Sequence, residues 1–316
     1  LTVTVPDMAW AAEERFAEDY LRMLRAVRFA SDLGFRLDAA TAEALRPLAS
    51  RLASISAERI REELTKMLCG RDPCRAFRML IEYGLLHVWL PEVEAMAGVT
   101  QPPQYHPEGD VWEHTLLLLS QLRRGPAALA WAALLHDVGK PPEDRGEGCR
   151  PRFPEHDRTG AVLAIRILER LRASKQLREA VRACVGNHMR FMHVAEMRTA
   201  KVRRLLDRPT FPWELELHRM DCTASHGALD NYVFLLDRMA AYAEEPAVPP
   251  PLITGHDILA LGVAPGPLVG ELLREVQERQ LEGTLSDREE ALAWVESALA
   301  RRAAGHASIP AAEDGE

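Results

Sequence analysis

The chain has 316 residues, 47% hydrophobic and 27% charged, with a formal net charge of -8. This length allows a sizeable core in about two domains, and the composition is that of a soluble globular protein. Most of the acidic excess lies beyond residue 250, so the net charge neither supports nor excludes a nucleic-acid partner. The five cysteines form no CxxC motif, and neither a secretion signal nor a bilayer-length apolar run is visible, so we expect a cytoplasmic protein with reduced thiols and no membrane partner.

The N-terminal part of the chain reads as successive helices with almost no alternating strand pattern, which predicts an all-α fold. One helix is predicted over 18–33 and a second over about 39–53. Ser56 is placed to cap a third helix, and Asp72-Pro73 is a cap followed by a first-turn proline. Residues 90–109 are rich in proline and glycine and lack a period, which predicts a domain boundary near residue 95.

A second block of helices is predicted over about 110–243, and it carries most of the histidines. The proline-rich stretch 246–251 predicts a stiff spacer and the next boundary. Beyond it we expect a short helix near 256–261, a helix opened by Gly266-Pro267, and a last helix that a capping box at Ser286 begins. The predicted domains are therefore 1–95, 96–250 and 251–316.

The middle block contains a pattern of side chains suited to metal binding. His136 and Asp137 are adjacent at the end of an apolar helix, and Gly139 is expected to end that helix. An imidazole nitrogen and a carboxylate oxygen side by side can turn toward one divalent cation. Four further donors lie on other apolar helices: His114, His156, His188 and Asp221. For one histidine alone, a buried hydrogen-bonded side chain is the simpler interpretation, but the six together predict a cage for one or two metal ions.

The ligand order also predicts how the cage divides. We expect His114, His136, Asp137 and Asp221 to hold one ion, and His156 and His188 to hold a second, with Asp137 bridging. Two adjacent metal ions activate a water and neutralise a phosphate, so His136 and Asp137 are the predicted catalytic residues of a phosphohydrolase.

The remaining histidines give weaker indications. His87, His193 and His218 lack a comparable context and are predicted to be surface or core residues. The interpretation of His106, in QYHPEGD, stays open.

The order of His114, His136-Asp137 and Asp221 resembles the HD phosphohydrolase superfamily, whose all-helical fold binds divalent metals and cleaves phosphate esters. The flanking segments resemble class II tRNA nucleotidyltransferases, the CCA-adding enzymes and bacterial poly(A) polymerases. These segments are EDYLR with MLRAVRFASDLGF (18–35), ISAERIREELTKML (55–68), LIEYGLLHVWLPEV (80–93), QPPQYHPEGDVWEHT (101–115), LITGHDILALGVAPGP (252–267) and QLEGTLSDREEAL (280–292). The resemblance implies a neck and body over 1–95, an HD domain over 96–250 and a helical tail over 251–316.

The resemblance also implies cofactors and partners. It implies a divalent metal ion (magnesium, manganese, nickel or iron), tRNA, and CTP or ATP where a catalytic head is present. Asp19 and Arg22 correspond to the family's nucleotide-selecting positions. They are three residues apart, so we expect them to share a helix face, where an acceptor beside a forked donor can pair with a base edge. The alternative is an ordinary surface salt bridge.

The chain also departs from the family pattern. Class II enzymes begin with a head domain that holds the catalytic magnesium on the paired carboxylates of a DxD motif, and Asp7 is the only aspartate before Glu18. We therefore expect no nucleotide transfer by this chain alone. Two functions stay open: a phosphatase or 2′,3′-cyclic phosphodiesterase at the HD site, or a non-catalytic tRNA-clamping module with a structural metal site. For the clamp, the arginines predicted to face RNA are Arg59, Arg61, Arg71, Arg75 and Arg78.

Overall fold

The computed structural model describes residues 12–104, 106–144, 152–242 and 248–306. Within these ranges the chain is a succession of helices joined by turns, with one isolated β-bridge between Thr100 and Asp110. The all-α prediction is confirmed. None of the described helices is long and apolar enough to span a bilayer. Asp7 and Cys149, which the sequence interpretation used, lie outside the described residues.

The chain divides into two compact units. The first comprises Leu1–Met192 with Pro212–Val233, and the second comprises His193–Phe211 with Phe234–Glu316. The α-helices of the first unit are α1 (Ala12–Glu18), α2 (Leu21–Leu33), α3 (Ala39–Leu48), α4 (Ala57–Leu68), α5 (Pro73–Glu82), α6 (Pro91–Glu94), α7 (Val111–Gln121), α8 (Ala127–Leu135), α9 (Lys140–Glu143), α10 (His156–Arg170) and α11 (Lys175–Asn187). Later in the chain follow α12 (Thr199–Leu206), α13 (Phe211–Ala224), α14 (Asp230–Ala241), α15 (Gly255–Ala260), α16 (Pro267–Leu281) and α17 (Arg288–His306).

The first predicted helix is interrupted at Asp19 and Tyr20. Asp19 Oδ1 accepts a hydrogen bond from the Leu21 amide at 3.1 Å, so this carboxylate satisfies a free amide at the start of α2. Asp19 therefore precedes the helix that contains Arg22, and the expectation that the two share a helix face is wrong. Ser56 does lie at the N-cap of α4, but its side chain makes no capping bond, whereas Asp72 caps α5 as predicted, accepting from the Arg75 amide at 2.9 Å.

Helix α8 lies in the centre of the first unit. All its residues from Ala128 to Leu135 are buried, which explains why it carries no polar face. The indole Nε1 of Trp131, the polar side-chain atom of this helix, donates to Thr65 Oγ1 at 3.0 Å. Helices α7 and α11 pack against α8, as does α4 from the N-terminal segment. This surrounding core fixes the position of the residues that follow Leu135.

Polar contacts cross the predicted boundary near residue 95 within the first unit. Arg170, at the end of α10, makes a two-pronged pair with Glu92 at 2.9 and 2.6 Å, and its Nε donates to the Trp89 carbonyl at 3.1 Å. Arg172 pairs with Glu58 at 2.9 Å. Forked arginine–carboxylate pairs fix geometry as well as contributing energy, so these contacts hold α10 against the N-terminal segment.

The second unit has its own apolar core. Ile253, Ile258, Leu272 and Val295 are fully or almost fully buried in it. The start of α17 differs from the capping box predicted at Ser286. Asp287 Oδ1 accepts from the Glu290 amide at 2.9 Å and caps the helix, which starts at Arg288. Glu290, not Glu289, reaches back, and its Oε2 accepts from the Ser286 amide at 2.8 Å, one residue before the cap.

Candidate metal centre

The turn after α8 delivers His136 and Asp137 into the interior. His136 is the C-cap of α8, and both side chains are 1% exposed. Gly139 is in this turn for a different reason than the one predicted. Its φ is -82°, which any residue adopts, but a Cβ on it would lie 2.1 Å from the His156 carbonyl oxygen and 2.6 Å from the Gly160 amide nitrogen. Glycine here permits the turn to contact the backbone of α10 directly.

Three histidines of the cluster share one tautomer. Nδ1 of His136, His156 and His188 lies 3.0, 2.9 and 2.6 Å from the carbonyl oxygen three residues earlier in each case. A carbonyl oxygen only accepts, so Nδ1 carries the proton and Nε2 carries a lone pair. Yet the Nε2 atoms of His156 and His188 are 3.2 Å apart. Two facing lone pairs at that distance repel each other unless a cation or proton lies between them.

The carboxylate of Asp137 lies between two groups of donors. Its Oδ2 is 3.1 Å from His136 Nε2 and 3.9 Å from His114 Nε2. Its Oδ1 is 3.6 Å from His156 Nε2 and 3.8 Å from His188 Nε2. Each oxygen therefore faces one of the two ligand sets predicted from the sequence, with Asp137 between them.

Asp221, on α13, completes the first set. Its Oδ1 is 3.0 Å from His114 Nε2, and His114 is fully buried on α7. Neither Nε2 of His114 nor Nε2 of His136 is aligned as a hydrogen bond with its carboxylate neighbour, although both are buried. Buried polar atoms without a hydrogen bond are rare, and these two nitrogens lie together with the Asp221 carboxylate in one group of candidate ligands. The donor set of imidazoles and carboxylates thus fits a divalent cation, and all six predicted side chains meet at one place.

The electrostatics of the cluster suit cation binding at neutral pH. Burial would raise the pKa of Asp137, but the adjacent His136 and Lys140 hold it well below its usual range. Burial and the nearby His156 lower the pKa of His188 to about 4, so its lone pair is available. Burial alone would lower the pKa of His114, but Asp221 and Glu108 raise it to about 9. His114 must therefore release a proton when a cation binds.

Lys140 belongs to the cluster, although the sequence analysis did not single it out. It is 6% exposed, and its Nζ lies 2.7 Å from Asp137 Oδ2 and 2.5 Å from Gln101 Oε1. The sequence does contain a sign of this contact, because Lys140 follows Asp137 by three residues, a spacing that brings two side chains together across one helical turn.

A cavity of about 550 Å³ opens onto the cluster. Asp137, Lys140, His156 and His188 are among the polar residues that line it, and Phe153, Met189 and Met192 are among the apolar ones. His218 is 5% exposed, lines the same cavity and stacks on Phe191 with ring centroids 5.0 Å apart, so it is a core residue, one of the two alternatives predicted. His87 and His193 lie at the surface, as predicted, with side chains 76% and 73% exposed.

The predicted nucleotide-binding pair, Asp19 and Arg22, is not joined in the structure. Asp19 Oδ2 pairs with Arg59 Nη2 at 2.7 Å. Arg22 contacts the Glu18 carboxylate and donates to the Arg15 carbonyl at 2.9 Å. Both side chains therefore have partners within the protein.

Most arginines predicted to face RNA also have protein partners. Arg61 donates to the Leu171 carbonyl at 3.3 Å, Arg75 donates to the Phe35 carbonyl, and Arg78 makes a two-pronged pair with Glu113 at 2.9 Å. The Arg78 side chain remains 53% exposed, and that of Arg59 remains 48% exposed. These guanidinium groups are therefore held in place at the surface.

Two protein-family descriptions match the chain. Residues 34–96 match the probable RNA and SrmB-binding site of polymerase A, and residues 110–224 match the HD domain. The second range includes all six side chains of the cluster.

Full-length relatives agree with these matches. An A-adding tRNA nucleotidyltransferase from Deinococcus radiodurans is 37% identical over 90% of this chain and 69% of its own length. A CC-adding tRNA nucleotidyltransferase from Thermus thermophilus is 36% identical over 90% of this chain and 67% of its own length. The CCA-adding enzyme of Bacillus stearothermophilus, solved in complex with CTP, shares the fold with a TM-score of 0.65 at 23% identity, covering 93% of this chain and 65% of that one.

Proposed function

The chain belongs to the tRNA nucleotidyltransferase family, and we propose that within it residues 110–224 form a metal-dependent phosphohydrolase. The chain spans about two thirds of the length of the relatives described above. The activity proposed here is therefore that of the metal-ligand cluster, not the activity for which those relatives are named. The observation that carries the proposal is the pair of imidazole Nε2 atoms 3.2 Å apart, both facing an ionised, buried Asp137 at the wall of an open cavity. The substrates we propose are phosphate monoesters and 2′,3′-cyclic phosphodiesters.

The six side chains would hold divalent cations in two groups that Asp137 joins. Cations bound there would supply a water of lowered pKa and neutralise charge on a phosphate. Lys140 orients Asp137 through its 2.7 Å contact and places a fixed positive charge on the cavity wall. The carbonyls of Ala133, Phe153 and Val185 fix the three imidazole rings, so the ligand atoms need little reorganisation.

The proposal is tested with the purified chain stripped of metal. Magnesium, manganese, nickel and iron(II) are added separately, and hydrolysis of p-nitrophenyl phosphate and of 2′,3′-cyclic AMP is followed without CTP or ATP. We expect turnover with at least one metal and none after chelation. Bound metal without turnover of either substrate would contradict the hydrolase and favour a structural metal site.

A second candidate function, tRNA binding, is favoured by the match of residues 34–96 to an RNA-binding description. Arginines held at the surface by protein contacts can contact phosphates at a low entropic cost. Recognition should follow the shape of the acceptor arm more than sequence, because the major groove of duplex RNA is too narrow for side chains.

Salt dependence tests this binding. We expect the affinity for tRNA to fall with salt at a log–log slope of roughly -0.7 to -0.9 per phosphate contact. Arg71→Glu should reduce the magnitude of that slope by about one contact, whereas Arg166→Glu, an exposed α10 position outside residues 34–96, should not. Filter binding with tRNA, an acceptor minihelix and an unrelated hairpin measures both. Equal affinity for all three RNAs, or none, would leave only the hydrolase.

We further propose that Asp19 and Arg22 select CTP or ATP when a catalytic head domain is present. Selection requires Asp19 to exchange its contact with Arg59, and Arg22 its contact with Glu18, for the base edge. All these pairs lie at least partly in solvent, where such contacts are weak, so the exchange costs little.

A further inference from the structure

Glu108 lies in a loop whose ends are held together at the start of α7. The Gln101 amide donates to the Gly109 carbonyl at 2.9 Å. Asp110 accepts from the amides of Gly98 and Glu113 at 2.9 and 2.7 Å, which joins the loop to the N-terminus of α7. Glu108 thus has a defined position although the sequence around it has no period.

One carboxylate oxygen of Glu108 contacts two imidazole rings. Its Oε1 is 2.6 Å from His114 Nδ1 and 2.9 Å from His106 Nδ1, and the side chain is 7% exposed. The contact of Glu108 with His114 is not aligned as a hydrogen bond, but a carboxylate oxygen and a ring nitrogen approach to 2.6 Å only with a proton between them, so Nδ1 of His114 carries hydrogen. The other oxygen, Oε2, is buried and has no hydrogen-bond partner in the described chain.

His114 differs in this respect from the other three histidines of the cluster. Those rings donate Nδ1–H to the carbonyl three residues earlier, which for His114 is that of Val111. The Val111 carbonyl instead accepts from Thr115 Oγ1 at 2.8 Å. His114 therefore takes its orienting acceptor from a separate loop, and that acceptor is a carboxylate.

We propose that Glu108 is a positioning residue that fixes the Nδ1–H tautomer of His114 and so directs its Nε2 toward Asp221 and Asp137. The inference rests on the proposed metal centre. An acceptor at Nδ1 leaves the lone pair of neutral His114 on Nε2, the nitrogen that faces Asp221 and Asp137. Glu108 acts through His114 and touches neither cation nor substrate.

The test compares metal affinity among four variants by calorimetric titration of the metal-free chain with manganese and nickel. Glu108→Ala should weaken binding by about 10- to 100-fold, the usual effect of losing a residue behind a ligand. Glu108→Gln should retain most of the affinity, because both imidazoles contact Oε1 and an amide oxygen can replace it. Glu94→Ala removes a matched carboxylate–histidine pair at exposed His87, 2.7 Å apart, and should change nothing.

The fourth variant, His106→Ala, separates positioning from direct ligation. His106, Glu108 and His114 could themselves surround an ion, and loss of His106 would then cost as much affinity as loss of Glu108. We expect unchanged affinity instead. Long-range imidazole ¹⁵N spectra of the metal-free protein, recorded above the pKa of about 9 of His114 so that its ring is neutral, report the tautomer directly. They should show Nδ1–H at His114 in the wild type and in Glu108→Gln but a mixture in Glu108→Ala.

Each outcome has one meaning. Wild-type affinity in Glu108→Ala, equal losses in the Ala and Gln variants, or an equal loss in His106→Ala would overturn the positioning role while leaving the metal centre intact. Failure of the wild-type chain to bind either metal would instead overturn the proposed function.

Discussion

Asp137→Asn should remove bound divalent metal and phosphohydrolase activity together. Both oxygens of Asp137 face histidine nitrogens, and an amide offers one neutral oxygen in place of two charged ones. Residues behind a metal ligand already account for about 10- to 100-fold in affinity, so loss of the central ligand should exceed about 100-fold. Metal analysis after gel filtration, with hydrolysis of 2′,3′-cyclic AMP, measures both effects. His136→Ala should give the same result.

Asp137→Asn should also lose the increase in folding stability that bound metal provides. A ligand present at about 100 times its dissociation constant stabilises the folded state by roughly 2.7 kcal/mol. Added metal should therefore raise the thermal midpoint of the wild type and of Asp157→Asn, a carboxylate in the first turn of α10, but not that of Asp137→Asn. Since Asp137→Asn also leaves Lys140 without its ionic partner, His136→Ala serves as the second variant if the first folds poorly. Unchanged metal content in both variants would exclude the centre.

The donor types of this centre were visible in the sequence, whereas the groups that orient them were not. His136 and Asp137 are adjacent, so one helix end places both, and the other ligands stand out as polar residues on apolar helices. Glu108 and Gln101 lie in an aperiodic loop, where side-chain direction depends on tertiary contacts that no spacing encodes. The Nδ1–carbonyl contacts are equally hidden, because they depend on ring rotation.

Helix boundaries, too, depend on side-chain contacts that the spacing of apolar residues does not reveal. The apolar residues whose spacing predicts a helix over 18–33 begin at Leu21, after the break at Asp19, so their spacing carries no information about it. The break is produced by one side chain that accepts from the Leu21 amide, a local competition that periodicity does not register.

Gly139→Ala should disrupt the metal centre without touching a ligand. The added methyl would meet the His156 carbonyl at 2.1 Å and the Gly160 amide nitrogen at 2.6 Å, and both are backbone atoms that no side-chain rotation can remove. The turn and the start of α10 must therefore separate. Asp137 and His156 lie on the two sides of that contact, so their 3.6 Å approach should lengthen. We expect destabilisation of about 1–3 kcal/mol, typical of overpacking, together with a loss of metal affinity.

The matched control is Gly186→Ala, on the helix that packs against α10. Its added Cβ would lie 3.4 Å from the Ala161 Cβ, an ordinary contact, and alanine within a helix is favoured over glycine by about 0.5–1 kcal/mol. Urea unfolding with and without metal should show Gly186→Ala at least as stable as the wild type and equally stabilised by metal. Wild-type stability and metal affinity in Gly139→Ala would show that the turn and α10 can separate without cost, and that His156 does not depend on their contact. If Gly139→Ala loses stability and metal affinity while Gly186→Ala keeps them, the two ligand groups meet only because glycine at position 139 lets the turn approach the backbone of α10.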